Sequence, residues 1–195
     1  MENAQNIRRT EVRTSMALTF LLRHADSEEG IEHDKYGGVE LDKILETKKL
    51  KGVTRECIYK IVKNNSKKRF TIYFDENEFE RICAVQGHSF PVEPYLSEKI
   101  TRKNMEALGI NPETVVHGTY KEHLESIMAK GLSRMGRNNI HFGVDIPEFG
   151  AVISGMRNSC NVIIFLDILA ALDDGYEFIL SNNRVVLTPG NEEGF

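Results

Sequence analysis

The sequence predicts an α+β protein with two lobes. Apolar residues recur at helical spacing three times before residue 66, and two β-rich runs follow between residues 69 and 85. Beyond residue 113 the pattern changes to several short β-rich runs around one amphipathic helical segment. The chain has 195 residues, which suits two small lobes that each bury a separate core.

The first lobe begins with three predicted helices, at residues 14–25, 39–47 and 55–65. Thr14 or Ser15 is expected to cap the first helix, and Thr54 the third. The second helix follows a break of two glycines. Four apolar residues share one face of the third helix, which predicts that this face packs on the core. They are Cys57, Ile58, Ile61 and Val62.

A predicted hairpin completes this lobe, with strands at residues 69–74 and 81–85 around an acidic turn. Three helices followed by a hairpin are typical of a winged helix, and we assign residues 1–92 to this lobe. Residues 48–69 hold nine basic residues and one acidic residue, a local charge of +8 in a chain of net charge −4. This stretch favours RNA contact, although a solvated basic face explains the composition equally well.

Residues 93–112 are predicted to connect the lobes, because the surrounding stretch holds three of the five prolines and little β pattern. The second lobe, residues 113–195, is predicted to contain a strand at 114–119 and a helix at 120–132. Leu124, Ile127 and Met128 are expected to face inward from that helix, and Gly131 to end it. Further strands are expected within 139–142, 151–154, 161–168, 176–180 and 184–190.

Several common chemistries lack their sequence motifs here. The sequence has no glycine-rich phosphate loop, no dinucleotide fingerprint, no His-Glu-x-x-His or paired-cysteine metal site and no serine nucleophile elbow. Its three cysteines are far apart, which predicts a reduced protein inside the cell, in the cytoplasm or nucleus. No apolar run approaches the ~20 residues that a bilayer requires, and the first residues lack a secretory apolar core. We therefore expect neither a membrane partner nor a metal.

Four short stretches combine basic residues with predicted helix or strand ends. They are Arg23-His24, Lys67 to Phe70, Val115 to Thr119, and Gly131 to Phe142, where Arg137 precedes a strand that contains His141. Gly118 permits a close approach between backbone and ligand. Each stretch also has a structural explanation when taken alone. Arg23 and His24 are typical of cations that complement the dipole of a helix C-terminus, and His117 fits a hydrogen-bonded turn.

The ordered set of motifs is more specific than any single one. The sequence contains, in order, "LLRHA", "KKRF", "QGHS", "HGTYKEHLESIMAKGLSRMGRN", "IHF", "VISGMR" and "VVLTPG". Together they resemble the NAD-dependent RNA 2'-phosphotransferase family, whose members act on tRNA. The resemblance covers nearly the whole chain, from about Thr14 to Gly190, and residues 117–142 carry its most specific part.

This resemblance implies a winged-helix lobe joined to an ADP-ribosyltransferase lobe that binds NAD. It implies removal of an internal 2'-phosphate that ligation leaves at a tRNA splice junction. The implied products are RNA with a 2'-hydroxyl, nicotinamide and ADP-ribose 1'',2''-cyclic phosphate. The expected partners are therefore 2'-phosphorylated RNA and NAD as co-substrate, and we expect a monomer.

The resemblance also assigns site residues. The catalytic set corresponds to Arg23, His24, Arg69 and Arg137. The NAD-binding positions are His117, Gly118, Thr119, Asn139, His141 and Arg157, and the RNA-binding positions are Lys67, Lys68 and His88. The RNA phosphate is already a nucleophile and needs no general base, and arginines suit it through bidentate hydrogen bonds. His24 is expected to act as acid, base or donor, since the ordinary histidine pKa of about 6.5 lies near neutrality.

Three positions depart from the family pattern. Cys83 replaces an arginine, Asn139 replaces a histidine, and Gly38 replaces an aromatic residue that often follows Gly37. Asn139 still forms hydrogen bonds but does not titrate, and Cys83 removes a cation. Cys83 and Asn139 keep one alternative open, a non-catalytic RNA-binding relative. A second alternative, which needs the same lobes but no second step, is ADP-ribosylation of a terminal phosphate on RNA or DNA.

Overall fold

A computed structural model describes residues 2–25, 30–146, 156–157 and 159–195. The chain divides into two compact units, Met1–Pro94 and Tyr95–Phe195, and each contains one antiparallel sheet. The described residues form five α-helices and nine strands, a mixed architecture of helices and antiparallel sheets. Among these helices, none is long and apolar enough to cross a membrane. The strand predicted at 151–154 lies outside the described residues.

Unit 1 contains three helices and a three-stranded sheet. The helices are α1 (Glu2–Arg23), α2 (Leu41–Leu45) and α3 (Arg55–Asn64), and the strands are β1 (Val39–Glu40), β2 (Phe70–Phe74) and β3 (Glu80–Ala84). Lys48–Leu50 forms a 3₁₀ turn. The strand order is β1-β3-β2, and β2 pairs with β3 as the predicted hairpin, with Ile72 opposite Ile82.

Two helix starts differ from their predictions, and one is confirmed. Because α1 begins well before residue 14, Thr14 lies inside the helix, and its hydroxyl donates to a backbone carbonyl one turn earlier at 2.9 Å instead of capping. Residues 39–40 pair with β3, so the second helix begins only at Leu41. Thr54 caps α3 as predicted, and its hydroxyl accepts from the Cys57 N–H at 3.3 Å.

The core of unit 1 lies between its helices and the sheet. Leu18, Leu21 and Leu22 of α1 are fully buried, and α3 contributes Ile58 and Ile61 from the predicted face. Each fully buried side chain of this size stabilises the fold by roughly 1.5–3 kcal/mol. This packing fixes the C-terminal end of α1, where two of the candidate residues lie.

The described residues of unit 2 form a six-stranded sheet and two helices. The strands are β4 (Glu98–Lys99), β5 (Val116–Thr119), β6 (Ile140–Gly143), β7 (Val162–Phe165), β8 (Ile179–Leu180) and β9 (Val185–Thr188). The helices are α4 (Lys121–Lys130) and α5 (Ile168–Asp173), and Pro112–Thr114 forms a 3₁₀ turn. The strand order is β4-β8-β9-β6-β5-β7.

Most of the predicted connector folds with unit 2. Ile100, Met105 and Ile110 are buried in the core of this unit, beside Phe142 and Phe178. Their spacing of five residues matches neither helical nor strand periodicity, so the sequence pattern gave no sign of their burial.

α4 packs through a narrower stripe than predicted. Leu124 and Ile127 are half-buried, but Met128 is 80% exposed and does not face inward. Successive helical residues are separated by about 100° of rotation, so Met128 turns away from the face that Ile127 presents. Gly131 ends the helix as predicted, with φ of +91°, and its N–H donates to the Ile127 carbonyl at 2.8 Å.

Candidate functional site

Arg23 and His24 lie at the C-terminal end of α1, and residues 87–89 hold them there. The Arg23 carbonyl accepts from the Ser89 N–H at 2.9 Å and from the Ser89 hydroxyl at 3.0 Å. His24 is exposed, and its Nδ1 lies 3.2 Å from the Ser89 Oγ. Gly87 has φ of +85°, which favours glycine, and a Cβ there would lie 3.3 Å from an Arg23 guanidinium nitrogen, a tight contact.

Asn65 holds Arg69 at the entry to β2. The Asn65 side-chain oxygen accepts from Arg69 Nη1 at 3.3 Å, from the Arg69 N–H at 3.4 Å and from the Lys67 N–H at 3.2 Å. The Lys68 N–H donates to the Asn65 carbonyl at 2.8 Å, and Lys68 has φ of +42°. Asparagine is common at the start of such turns. The sequence therefore signalled the turn, but not the contact with the guanidinium of Arg69.

The segment 85–89 connects the basic positions of unit 1. The Val85 N–H donates to the Arg69 carbonyl at 2.9 Å, and the Ser89 N–H donates to the Arg23 carbonyl. Four residues span at most about 14 Å. Arg23, His24 and Arg69, three of the four predicted catalytic residues, therefore lie in one region of unit 1.

His88 is buried, unlike the two lysines of the predicted RNA-binding set. Its side chain is 4% exposed, and its Nε2 has no hydrogen-bond partner among the described residues. A Cβ on Gly37 would lie 2.7 Å from that nitrogen. Burial, with the nearby charge of Arg23, lowers the pKa of His88 to about 4, so the ring is neutral at pH 7. Lys68 is exposed and Lys67 is half-buried.

His117 in unit 2 is oriented by a backbone carbonyl of the neighbouring strand. Its Nδ1 lies 2.9 Å from the His141 carbonyl oxygen, which only accepts, so Nδ1 carries a hydrogen and Nε2 is the acceptor of the neutral ring. Burial lowers the pKa of His117, although the bond to His141 opposes this shift. Thr119 and His141 are both buried.

Gly118 is packed closely by its own unit. A Cβ here would lie 2.7 Å from the Met156 methyl carbon and 2.8 Å from the Cys160 sulfur. Met156 and Cys160 therefore occupy, on that side, the space that this glycine leaves open.

Arg137, Arg157 and Tyr120 form a cationic cluster in unit 2. Arg137 is exposed, and partial desolvation first, and the charge of Arg157 second, lower its pKa. The Tyr120 hydroxyl lies 2.6 Å from the Ser159 hydroxyl, and this contact together with Arg157 lowers the pKa of Tyr120. Asn139 is half-buried just before β6. Sequence reasoning missed Tyr120 and Ser159, since neither type is distinctive at a predicted strand or loop end.

Five arginines of the chain fall into two electrostatic groups. Arg55, Arg81 and Arg102 each form an ion pair with a carboxylate, and each has a raised pKa. Within the part of the chain that the structure describes, Arg69 and Arg137 have no carboxylate partner, and both have lowered pKa values. Partly desolvated cations without a counter-charge suit the binding of an anion.

Packing explains two of the departures from the family pattern. A Cβ on Gly38 would overlap the Tyr73 hydroxyl, which donates to Asp34, so the space that a larger residue needs is already filled. Cys83 is fully buried in β3, and burial raises the pKa of its thiol to about 12. It therefore remains a neutral thiol that contributes no charge.

Comparisons with known proteins give one consistent result. The family model described as "RNA 2'-phosphotransferase, Tpt1 / KptA family" matches residues 9–190. "tRNA 2'-phosphotransferase 1" of Danio rerio is 35% identical over 185 residues, covering 94% of this chain and 80% of that protein. Its Mus musculus counterpart is 40% identical, covering 94% and 72%. "tRNA 2'-phosphotransferase" of Saccharomyces cerevisiae is 37% identical over 163 residues, covering 80% and 69%.

Proposed function

The chain belongs to the RNA 2'-phosphotransferase family, and we propose that it removes an internal 2'-phosphate from tRNA in an NAD-dependent reaction. NAD supplies the ribose that takes the phosphate from the RNA, and the products are 2'-hydroxyl RNA, nicotinamide and ADP-ribose 1'',2''-cyclic phosphate. We place this reaction inside the cell, in the cytoplasm or nucleus, and assign it to a monomer that uses no metal.

We assign unit 1 as a winged-helix RNA-binding lobe and unit 2 as an ADP-ribosyltransferase-like NAD-binding lobe. The three helices and the β2–β3 hairpin support the first assignment. The six-stranded antiparallel sheet, with His117 on β5 and His141 on β6, supports the second. We propose that the RNA-binding lobe comprises residues 1–92 and the NAD-binding lobe residues 113–195. Residues 93–112 connect them, and the later part of this connector packs into the core of unit 2.

One observation carries the proposal: Arg69 and Arg137 have no carboxylate partner among the described residues, whereas Arg55, Arg81 and Arg102 each pair with one. A 2'-phosphate dianion suits guanidinium groups of this kind, because a guanidinium can donate two parallel hydrogen bonds to phosphate oxygens. The nucleophile already carries its negative charge, so the residues must orient it and offset charge rather than deprotonate it.

The remaining residues receive roles that suit their environments. Arg23 completes the phosphate-binding set, and His24 transfers a proton in the second step. Lys67 and Lys68 contact the RNA backbone beside Arg69, while buried His88 supports Arg23 from within the unit.

For NAD, the proposed contacts come from β5, β6 and the cationic cluster. His117 offers Nε2, since its Nδ1 is held by a backbone carbonyl, and Arg157 offers a charge for a diphosphate. Gly118, Thr119, Asn139 and His141 complete the proposed set. The chemistry of these groups fits a dinucleotide, which presents both hydrogen-bonding and anionic parts.

The decisive experiment incubates the full chain with NAD and an oligonucleotide that carries one internal 2'-phosphate. We expect nicotinamide, RNA lighter by one phosphate, and ADP-ribose 1'',2''-cyclic phosphate, each identified by mass. The same oligonucleotide with a 2'-hydroxyl is the control and should yield none of these products.

Other outcomes identify the alternatives. RNA heavier by one ADP-ribose, with no cyclic product, would instead indicate ADP-ribosylation that is left in place. RNA binding by folded protein without any nicotinamide release would indicate a non-catalytic relative. Either result overturns the proposal.

A further inference from the structure

Ser89 links the end of α1 to the ring of His24 through three short contacts. Its N–H donates to the Arg23 carbonyl at 2.9 Å, and its Oγ lies 3.0 Å from the same carbonyl oxygen. The Oγ also lies 3.2 Å from His24 Nδ1. Ser89 and His24 are 65 residues apart, so no local pattern in the sequence reveals this link.

These contacts locate two hydrogens. A carbonyl oxygen never donates, so the Ser89 O–H must point to the Arg23 carbonyl; otherwise two oxygens would face each other at 3.0 Å with no hydrogen between them. A hydroxyl has one hydrogen, so Ser89 accepts in its contact with His24. Nδ1 of His24 therefore carries a hydrogen, and in the neutral ring the lone pair lies on Nε2.

We propose that Ser89 is a positioning residue that holds neutral His24 as the Nδ1–H tautomer and makes Nε2 the nitrogen that exchanges a proton with substrate. The tautomer follows from hydrogen bonding alone, whereas its catalytic use rests on the proposed function.

The carbonyl at the end of α1 favours hydrogen bonds that run from His24 to Ser89 and from Ser89 to Arg23. The Arg23 carbonyl belongs to the last turn of the helix, where unsatisfied carbonyls carry partial negative charge. His24 donates to Ser89, and Ser89 donates toward that charge. The opposite tautomer would take the Ser89 hydrogen for Nδ1 and leave the hydroxyl without a bond to the carbonyl.

This tautomer suits the second step of the proposed reaction. Nε2 accepts the proton of the ribose 2''-hydroxyl as that oxygen forms its bond to phosphorus. The bond between phosphorus and the RNA 2'-oxygen breaks, and the departing oxygen takes a proton from water. An Nε2–H tautomer has no lone pair at that atom and cannot accept the proton.

Nitrogen-15 NMR of the folded chain tests the tautomer without turnover. Long-range correlations between ring protons and nitrogens distinguish Nδ1–H from Nε2–H, and His24→Gln identifies the signals of His24 among the six histidines. Above pH ~8, where an ordinary imidazole is neutral, we expect Nδ1–H in the wild type and redistribution toward Nε2–H in Ser89→Ala. An Nε2–H ring in the wild type, or an unchanged tautomer in Ser89→Ala, overturns the proposal.

Two further variants distinguish the effect of the Ser89 hydroxyl from an effect of local packing. Ser89 is exposed, so Ser89→Thr has room for its methyl group and should keep the tautomer and turnover. Thr19→Ala is the matched control, because it removes another hydroxyl that donates to an α1 carbonyl, that of Ser15 at 2.8 Å, without contacting His24.

The kinetic result should follow the tautomer. Ser89→Ala is expected to lower kcat about tenfold with little change in KM for RNA, the loss of about one hydrogen bond. A loss that Ser89→Thr fails to restore would indicate a purely structural role and overturn the proposal. If the wild type shows no turnover at all, the proposed function fails, while the NMR result still decides the role of Ser89.

Discussion

Asn65 and Arg69 are joined by one side-chain oxygen, which accepts from both the guanidinium and the backbone N–H of Arg69. The same oxygen accepts from the Lys67 N–H, so a single amide fixes the turn and the arginine together. Arg69 thus has a neutral acceptor on one side and no carboxylate among the described residues. A neutral acceptor orients the guanidinium and leaves its charge for an anion.

Asn65→Ala is expected to lower turnover about tenfold, because Arg69 loses an orienting hydrogen bond. Asn65→Asp should keep the turn but weaken binding of 2'-phosphorylated RNA, since a carboxylate competes with phosphate for the guanidinium. Asn64→Ala, at the exposed end of α3, is the control. Steady-state kinetics measure the turnover of Asn65→Ala and the KM for RNA of Asn65→Asp. Equal RNA affinity in Asn65→Asp and the wild type would contradict the competition between carboxylate and phosphate.

Arg69→Lys is expected to reduce turnover by ~10³-fold or more, by analogy with other phosphoryl-transfer arginines. Lysine keeps the charge but loses the planar fork that makes two parallel bonds. Arg102→Lys is the matched control, because Arg102 pairs with Asp173 on an exposed surface. Single-turnover assays should show near wild-type rates for the control, and similar rates for Arg69→Lys would remove Arg69 from the catalytic set.

The stability of unit 1 is expected to fall in mild acid because of His88. Its pKa is about 4 in the folded chain and about 6.5 when unfolded, so the unfolded state takes up the proton first. Neutral His88 contributes on the order of 3 kcal/mol to the free energy of unfolding. This contribution is complete above pH ~6.5 and is lost as the pH falls toward 4.

Urea unfolding followed by circular dichroism measures this dependence, since the chain has no tryptophan. His88→Gln should flatten the slope between pH 6.5 and 4, whereas His123→Gln, at an exposed position of α4, should leave it unchanged. An equally steep slope without His88 would assign the acid sensitivity to other groups.

Gly38→Ala is expected to destabilise the chain by about 1–3 kcal/mol, because the added methyl group overlaps the Tyr73 hydroxyl. In a Tyr73→Phe background the same change should cost less, since the overlapping oxygen is gone. A double-mutant cycle of unfolding free energies tests this coupling. Additive effects would show that Gly38 and Tyr73 do not compete for the same space.

Local signals in the sequence predicted the helices and strands well, but they predicted less well how these elements pack. The Thr54 cap and the buried pair Ile58 and Ile61 followed from capping and periodicity, both of which are local. Met128 did not, because periodicity defines a helical face but not how much of it is covered. The resemblance named Arg69 and His24, yet Ser89 stayed hidden, since its contact crosses 65 residues of chain.

The like charges of Arg137 and Arg157 imply a local conflict between folding and activity. Partial desolvation first, and the charge of Arg157 second, disfavour the charged form of Arg137 in the folded unit, and the described residues supply no carboxylate to relieve it. Natural proteins retain such unfavourable contacts between like charges where ligand binding requires them. Arg137→Gln should therefore raise the melting temperature of the free protein while abolishing turnover. Bound phosphate should reduce the difference in melting temperature between Arg137→Gln and the wild type, because the anion stabilises only the wild type, which retains both cations.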